Sequence, residues 1–290
     1  VLGPENPATL KALNNVALAL RALGRLPEAE QLLLRLRATR QRVLGSEHPD
    51  TLGNEVNLGS LYLEQGRPEE AEKVLVDVLP RLRRVRGPED DWTLTCVVNL
   101  VNIYQATGRS AQAEPLMREA LAAWKRTLGN DNPRALAGTE TLARILEHEE
   151  RYPEAEQLYV EAVAADRRVY GEEHARTLGA KNSLAGLYLS TARYPEAERL
   201  YRDVLATRQR VLGPRHTDTL GTLYDLGCLA AVRGDRPAAL DWIRQAVEGG
   251  FLRADVLVQD EDLASLHGQE FDTLVERARR NAAAARAPGP

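Results

Sequence analysis

Residues 169–210 read VYGEEHARTLGAKNSLAGLYLSTARYPEAERLYRDVLATRQR, and the pattern in this stretch decides the fold. Its first half carries apolar and small residues at the spacing of a helix rather than at the alternation of a strand. A break follows at 192–194, and Pro195 restarts the helical pattern, because proline is well tolerated at the first position of a helix. Glu196 and Glu198 lie where the positive end of a helix dipole favours acidic side chains. The stretch therefore predicts two helices joined by a tight turn.

The same pattern occurs six times along the chain. A glycine recurs every 42 residues without an insertion or a deletion, and a leucine follows seven residues after each glycine. An alanine holds a third constant position in every copy. A constant period requires each copy to meet the next in the same geometry, which predicts a solenoid. The glycines are Gly3, Gly45, Gly87, Gly129, Gly171 and Gly213, and the alanines are Ala29, Ala71, Ala113, Ala155, Ala197 and Ala239.

The period also predicts the domain organisation. Six copies cover residues 1–252, divided as 1–42, 43–84, 85–126, 127–168, 169–210 and 211–252. Apolar side chains and an acidic helix start at Asp260 predict C-terminal capping helices over residues 253–281. We expect residues 282–290 to form a disordered tail. Because Val1-Leu2-Gly3 has the phase of Val43-Leu44-Gly45, we also expect the chain to be a fragment of a longer protein.

Composition and charge exclude several classes of partner. Thirty-eight Lys+Arg against forty-two Asp+Glu give a net charge of -4, and aromatic residues make up only 5%. Neither value is typical of a nucleic-acid-binding protein. The chain contains no apolar run long enough to span a membrane, so we expect no membrane partner. Two cysteines, Cys96 and Cys228, cannot form a disulfide framework, which favours a cytoplasmic location.

No catalytic or cofactor motif is present in the sequence. Phosphate-binding loops, kinase signatures and nucleophile elbows are all missing. His48, His174 and His216 share one linker position in different copies, but packed helices lie about 10 Å apart, whereas zinc ligands converge at about 2 Å from one ion. We therefore predict that these histidines are turn residues or helix caps. We expect no enzyme activity, no cofactor and no metal site.

Several short motifs in the helices are characteristic. LNNVA at 13–17, LY at 61–62 and RYPEAE at 193–198 are similar to the two helices of the tetratricopeptide repeat (TPR) family. The period, with LGSEHPDTL at 44–52, resembles that of kinesin light chains. This resemblance implies an all-α fold, a right-handed TPR superhelix (α-solenoid) with a C-terminal helical cap. Residues 262–274 also resemble the tail of TPR regions in some bacterial serine/threonine kinases.

Polar residues on the first helix of each copy are the candidate binding site. If the small residue in mid-helix points inward, positions three and six before it and one and four after it face a concave groove. Amide side chains there can bond a peptide backbone, and charged ones can select a ligand. The resemblance to kinesin light chains implies peptide contact for Asn14 and Asn182 only. The candidates are Lys11, Asn14, Arg21, Asn57, Asn99, Asn102, Gln105, Glu140, Arg144, Glu147 and Asn182.

Two series of arginines follow the same period. Glutamates lie three residues after most members of the first series, so we expect local ion pairs rather than a binding surface for an acidic chain. The first series is Arg25, Arg67, Arg109, Arg151 and Arg193, and the second is Arg42, Arg84, Arg126, Arg168 and Arg210.

These observations predict a non-enzymatic scaffold that binds an extended peptide or a partner helix in its groove, with an acidic or dipolar peptide as the expected ligand. Three alternatives stay open. The chain can be the sensor or recruitment region of a larger signalling enzyme, such as a bacterial kinase. It can also self-assemble through an uncapped first repeat. Finally, the candidate residues can be ordinary exposed polar positions.

Overall fold

The computed structural model describes residues 3–286, and every regular element within them is a helix. Each repeat contributes a first helix, helix A, and a second helix, helix B. The A helices are α1 (Pro7–Ala22), α3 (Pro49–Glu64), α5 (Asp91–Ala106), α7 (Pro133–His148), α9 (Ala175–Ser190) and α11 (Thr217–Val232). The B helices are α2 (Leu26–Leu44), α4 (Pro68–Arg86), α6 (Ser110–Leu128), α8 (Tyr152–Tyr170), α10 (Tyr194–Val211) and α12 (Arg236–Gly249).

The chain divides into two compact units. The first unit, Val1–Glu149, contains α1 to α7, and the second, Glu150–Pro290, contains the remaining helices. Within each unit every repeat helix packs against the next repeat helix along the chain. This order of contacts is the one that the constant period predicts for stacked helix pairs.

The start of each helix A is fixed by a polar cap. A side chain just before the helix accepts a hydrogen bond from the backbone N–H two residues on, at 2.9–3.2 Å. This bond satisfies one of the N–H groups that a helix start leaves unpaired. The prediction that the three linker histidines are caps is confirmed. The capping residues are Asn6, His48, Asp90, Asn132, His174 and His216.

Helices A and B of one repeat meet at a residue with little or no side chain. A Cβ atom added to Gly59 would lie 2.6 Å from Leu75, and one added to Gly227 would lie 2.6 Å from Ile243. The constant alanine of each helix B is completely buried. Larger side chains at these contacts would force the helices apart.

The capping region follows α12. It contains α13 (Ala254–Gln259), a 3₁₀ helix (Glu261–Leu266) and α14 (Gln269–Arg286), and it buries Leu257, Leu263, Leu266 and Phe271 completely. Residues 282–286 continue α14 instead of starting the expected tail. Most of this stretch is alanine, which is a strong helix former. The rest of the expected tail, residues 287–290, lies outside the described residues.

Replacing Pro80 with alanine should stabilise the protein. Pro80 lies inside α4 on an exposed face and removes a backbone hydrogen bond, whereas Ala122 occupies the equivalent place in α6. We expect Pro80→Ala to raise the free energy of unfolding by about 1–3 kcal/mol. Urea unfolding followed by circular dichroism measures this change. The reverse substitution, Ala122→Pro, should lower stability by a similar amount, and a neutral result for both would contradict the prediction.

Candidate functional site

The predicted groove residues lie along the lines where A helices of consecutive repeats meet, which we call A–A seams. We number equivalent residues by their position in the first repeat, so that Asn14, Val56, Val98, Glu140, Asn182 and Tyr224 all occupy position 14. Many groove candidates reach across a seam to the next helix A. These pairs are Asn57 with Asn14 (3.3 Å), Arg21 with Glu64 (2.6 Å), Asn99 with Ser60 (2.7 Å), Arg144 with Gln105 (2.8 Å) and Asn182 with Asp225 (2.8 Å).

A buried arginine fills the α1/α3 seam from the side of helix B. Arg40 of α2 is only 5% exposed and donates to the backbone oxygens of Asp50 (2.9 Å) and Leu10 (3.4 Å). It also approaches the side-chain oxygen of Asn14 at 3.5 Å. Burial lowers the pKa of Arg40. Sequence reasoning missed this residue because it considered only helix A for the groove.

The α9/α11 seam repeats this arrangement in the second unit. Arg208 of α10 donates to the backbone oxygen of Asp218 (3.0 Å) and to the hydroxyl of Thr222 (2.7 Å). Asn182 spans the seam and donates to Asp225, which occupies the place that Asn57 has in α3. Burial raises the pKa of Asp225 to about 6, although Asn182 and Arg208 both favour its ionised form. A carboxylate at this seam therefore destabilises the fold when it is charged.

An indole fills the α3/α5 seam. Trp92 of α5 lies against α3 so closely that a Cβ on Gly53 would be 3.2 Å from its ring. Val56, at position 14 of this seam, has no exposed surface. The seam is therefore closed by the protein's own side chain.

The α5/α7 seam is open and forms a pocket of about 310 Å³. Two groove candidates, Asn99 and Asn102, line it. Trp124 and Met117 of α6 form its base, where a Cβ on Gly138 would lie 3.1 Å from Trp124. The remaining lining residues are Asp91, Leu94, Thr95, Val98, Val101, Arg134, Ala137 and Thr141.

Two features of this pocket affect what it can bind. The indole N–H of Trp124 is buried and has no hydrogen-bond acceptor in the part of the chain that the structure describes. Asp91 and Arg134 form an ion pair of 2.5 Å between α5 and α7, and both residues line the pocket. A ligand therefore meets an apolar interior and a charge pair that is already neutralised.

The other candidates do not converge on this pocket. Lys11 and Arg144 are exposed, and Glu140 and Glu147 are half-buried on α7. None of these four side chains lines the α5/α7 pocket. Asn14 and Asn182, to which the resemblance assigns peptide contact, are both engaged across their own seams. The pocket-lining residues Val98, Trp124 and Gly138 were absent from the predicted set, since an apolar residue on its own does not indicate a site.

The prediction of local ion pairs is confirmed for four members of the first arginine series. Arg25, Arg67, Arg151 and Arg193 each pair with the glutamate three residues later. Members of the second series pair with a glutamate in the linker before helix A of their own repeat, for example Arg210 with Glu173 at 2.7 Å. These arginines do not form an uncompensated basic surface.

The seams end at the capping region. Asp260 accepts a hydrogen bond from the hydroxyl of Tyr224, and the ring of Tyr224 stacks on Phe251 with centroids 5.4 Å apart. Cys228, Asp260 and Asp262 could share a metal ion, because their ligand atoms all lie within 4.8 Å of one another. However, Asp260 already accepts from Tyr224 and from the backbone N–H of Asp262. Burial raises the pKa of the Cys228 thiol, which opposes the thiolate that metal binding needs.

A family model described as the tetratricopeptide repeat matches residues 8–84, 53–126, 90–168, 134–208 and 176–249. Together these matches span most of the chain. No curated protein sequence matches it. Within residues 3–286, no helix has both the length and the hydropathy to cross a membrane.

Several solved structures have the same fold. One is a Podosopora anserina protein assigned to the kinesin light chains, with nearly identical TPR-like repeats; it is 27% identical, with a TM-score of 0.64, and the match covers 72% of this chain and 98% of that one. BtubC (BKLC) from P. vanneervenii is 22% identical with a TM-score of 0.59, over 91% and 94% of the two chains. A STAND signal transduction ATPase of Pyrococcus horikoshii with a TPR sensor is 13% identical, with a TM-score of 0.66; the match covers 96% of this chain and 42% of that one.

Replacing Asp225 with asparagine should remove a pH dependence of stability. The folded-state pKa of about 6 exceeds the ordinary value of 3.8. The folded state therefore holds its proton where the unfolded state has lost it, and the free energy of unfolding falls as pH rises from about 4 to 6. Above pH 6 the loss is complete. Asparagine keeps an acceptor for Asn182 and removes the buried charge.

We expect Asp225→Asn to be more stable than the original protein by about 1–2 kcal/mol at pH 7.5 and equally stable near pH 4. Urea unfolding at a series of pH values measures this difference. Asn57→Asp, which places a carboxylate at the same position of α3, is the matched reverse change. A constant difference across the pH range would contradict the assignment to Asp225.

Proposed function

Because the chain belongs to the tetratricopeptide repeat family, we propose that it is a non-enzymatic scaffold that binds an extended peptide or a partner helix along its A helices. The observation that carries this proposal is the open α5/α7 pocket. Trp124 lies below this seam at the position that Arg40 has below the α1/α3 seam, but Arg134, which stands where the α3/α5 seam has Trp92, pairs with Asp91, and the space above Trp124 stays open. An unfilled apolar pocket beside exposed amide groups is typical of a ligand site.

The polar residues around the pocket can hold a peptide backbone. Asn102 is exposed at the pocket, and Asn99 lines the same pocket while donating to Ser60. An amide side chain both donates and accepts hydrogen bonds, so it can pair with either group of a peptide unit. Asn14, Gln105 and Asn182 are engaged across seams and would have to exchange a partner to do the same.

The structure leaves fewer cationic groove residues to select a charged ligand than the sequence predicts. Arg21 is paired with Glu64 through two hydrogen bonds, and Arg144 donates to Gln105. Lys11 on α1 is exposed and is the groove cation best placed to attract an acidic residue. An acidic residue of the peptide near α1 fits this arrangement.

The names of the structural neighbours agree with a role in protein interaction. Kinesin light chain names recur among them, and the Pyrococcus horikoshii protein carries its TPR region as a sensor. That second name favours the alternative in which this chain is the sensor or recruitment region of a larger signalling enzyme. In both cases the surface of the A helices would recognise another protein. We place the scaffold in the cytoplasm, where reducing conditions suit the free thiols of Cys96 and Cys228.

Self-association is a second proposal, and it rests on the surface of α1. Val16 on α1 is 49% exposed, and Leu23, in the turn that follows α1, is 72% exposed. At the position of Val16, the later helices have Leu58 and Leu100, which are at most 2% exposed because a preceding helix B covers them. A second copy of the chain can cover this apolar face of α1.

Peptide selection tests the scaffold function. Random twelve-residue peptides displayed on phage are selected against the chain, and their affinities are measured by titration calorimetry. We expect Asn102→Ala and Val98→Lys to weaken the selected peptides by about tenfold or more, because both residues line the α5/α7 pocket. Gln31→Ala, exposed on α2, is the control and should change nothing. A selection that returns no peptide, or peptides that tolerate both pocket variants, would contradict the proposal.

Sedimentation at several protein concentrations tests self-association. We expect dimers whose fraction rises with concentration and falls in Val16→Lys and Leu23→Lys, because a lysine at the interface would have to be desolvated. Val76→Lys changes a residue of α4 that is also 49% exposed and serves as the matched control. A monomer at every concentration, or equal effects of all three variants, argues against the α1 face.

A further inference from the structure

The exposed side of α1 is almost free of charge. Only Lys11 among its exposed residues is charged, and Leu23, which follows the helix, is 72% exposed. An exposed face of a solenoid is normally polar, because the array must stay soluble. This side of α1 is therefore the kind of surface that another molecule covers. The exposed residues of α1 are Pro7, Ala8, Lys11, Ala12, Asn15, Val16, Ala19 and Ala22.

In the later A helices, the residues at positions 12, 16 and 19 pack against the preceding helix B. All of these residues are buried in α3, α5, α7, α9 and α11. Asn54 donates to the backbone oxygen of Leu33 (3.0 Å), and Cys96 donates to that of Leu75 (3.4 Å). The same face of α1, continued to position 23, forms what we call the α1 stripe. Its residues are Ala12, Val16, Ala19 and Leu23.

The α1 stripe has smaller side chains than the equivalent face of the later A helices. Those five helices all have leucine at position 16, and leucine or isoleucine at position 19, where α1 has Val16 and Ala19. Packing on a helix B in the same way would leave a cavity, which destabilises a contact. The distance between two helix axes depends on the side chains at their contact. The stripe therefore suits a partner helix that approaches more closely than a helix B does.

The α1 stripe can meet a copy of itself. Val16 lies between Ala12 and Ala19, so a two-fold axis beside Val16 places Ala12 of one copy against Ala19 of the other. The two helices then run antiparallel, and the alanine contacts allow an axis separation of about 8 Å. Antiparallel helices also bring the positive end of one helix dipole beside the negative end of the other. The same symmetry places Leu23 against Ala8, so that a large side chain meets a small one.

The absence of charge on the stripe favours a second copy as the partner. A copy can cover these uncharged side chains without opposing like charges or burying an unpaired one. The capping region has another exposed apolar surface, around Leu252 and Val258, but Asp255 and Arg279 line it as well. An uncharged stripe offers no partner for these two groups. Pairing through α1 alone therefore fits better than head-to-tail stacking.

The size of the stripe indicates how strong the pairing is. α1 has 16 residues. A helix of this length is about 24 Å long and about 10 Å wide, so one side presents about 240 Å². A stable interface buries about 800 Å² in each partner. The α1 pair is therefore weak and reversible, with an expected dissociation constant between about 10 μM and about 1 mM.

We propose that α1 pairs with α1 of a second copy as antiparallel helices, with Ala12 facing Ala19 across a two-fold axis beside Val16. This proposal rests on the self-association proposed above and adds the partner surface and its direction. Both copies use the same residues in this interface, so the assembly closes at two chains.

Disulfide formation between two cysteine variants tests the direction of the helices. Tagged Ala12→Cys chains are mixed with untagged Ala19→Cys chains and oxidised. The tagged–untagged product should exceed both self-linked products by about tenfold or more, because a disulfide needs Cα atoms within about 7 Å. The native thiols of Cys96 and Cys228 are buried, so the original protein should form no cross-link. Mainly self-linked Ala12→Cys dimers would show parallel helices and overturn the proposal.

Val76→Cys is the control for this experiment. Val76 lies on α4 and is 49% exposed, like Val16 on α1. The variant should cross-link neither to itself nor to the α1 variants. Equal cross-linking of Val76→Cys would show random collisions and overturn the assignment to α1.

Ala19→Leu tests the close approach of the two helices. It gives α1 the residue that α3 has at position 19, Leu61. Sedimentation should show a dimer weakened by about tenfold or more, because the larger side chain separates the helices. Ala122→Leu makes the same change on the exposed side of α6 and should leave the dimer unchanged. A general apolar surface would gain strength from the added leucine, so a tighter or unchanged dimer in Ala19→Leu would overturn the proposal.

The outcomes separate this proposal from self-association itself. Chains that stay monomeric at every concentration would refute both. Association that is lost in Val16→Lys but gives no tagged–untagged disulfide would keep self-association through α1 and refute the antiparallel pair. Association that is lost in Val258→Lys but kept in Val16→Lys would place the interface at the capping region and refute both assignments to α1.

Discussion

In most repeats helices A and B meet at a small residue of helix A, and the rest of the structure depends on this contact. At Gly59 and Gly227 even one added carbon would overlap the leucine or isoleucine of helix B. On the other side of the contact, the constant alanine of helix B is completely buried. Because this contact recurs with the 42-residue period, it sets how closely helix A and helix B pack in one repeat after another. The A–A seams and everything they hold depend on that spacing.

Constant spacing leaves the seams free to vary in their side chains. Position 40 of helix B is Arg40, Trp124 or Arg208 in different repeats, and position 8 of helix A is Trp92 or Arg134. A filled seam contributes to stability, because it buries apolar surface or satisfies backbone oxygens. An unfilled seam gives up that contribution and exposes an apolar wall such as that formed by Val98 and Ala137. Whether a seam contributes to stability or offers a surface for binding therefore depends on single residues and not on the helices themselves.

Sequence reasoning predicted the features that depend on neighbours within one repeat. The helix pairs, the capping histidines and the local pairs of Arg25 and Arg67 all involve residues close in sequence, and these predictions are confirmed. The cross-seam pairs were missed. Asn57 and Asn14 are 43 positions apart, and whether their side chains meet depends on rotamers that a periodic pattern does not specify. The same reasoning treated polar groove residues as free, although several bind the next helix A.

The pocket was harder still to predict, because it results from the absence of a large seam-filling side chain at several positions at once. Position 8 has Arg134 where the preceding helix A has Trp92, and Arg134 turns to Asp91 instead of filling the seam. Gly138 makes room for Trp124 below. None of these residues belongs to a binding motif, and only their arrangement in space shows the pocket.

The last seam has a consequence for how such a chain can change in length. In this seam Tyr224 donates a hydrogen bond to Asp260, which lies outside the repeats and belongs to the capping region. A gene duplication that inserted a whole copy between two inner repeats would meet matching neighbours on both sides. The same insertion after residue 252 would separate Tyr224 and Phe251 from the residues that now cover α11. Growth or shrinkage of the gene by whole units is therefore tolerated in the interior and penalised at this end.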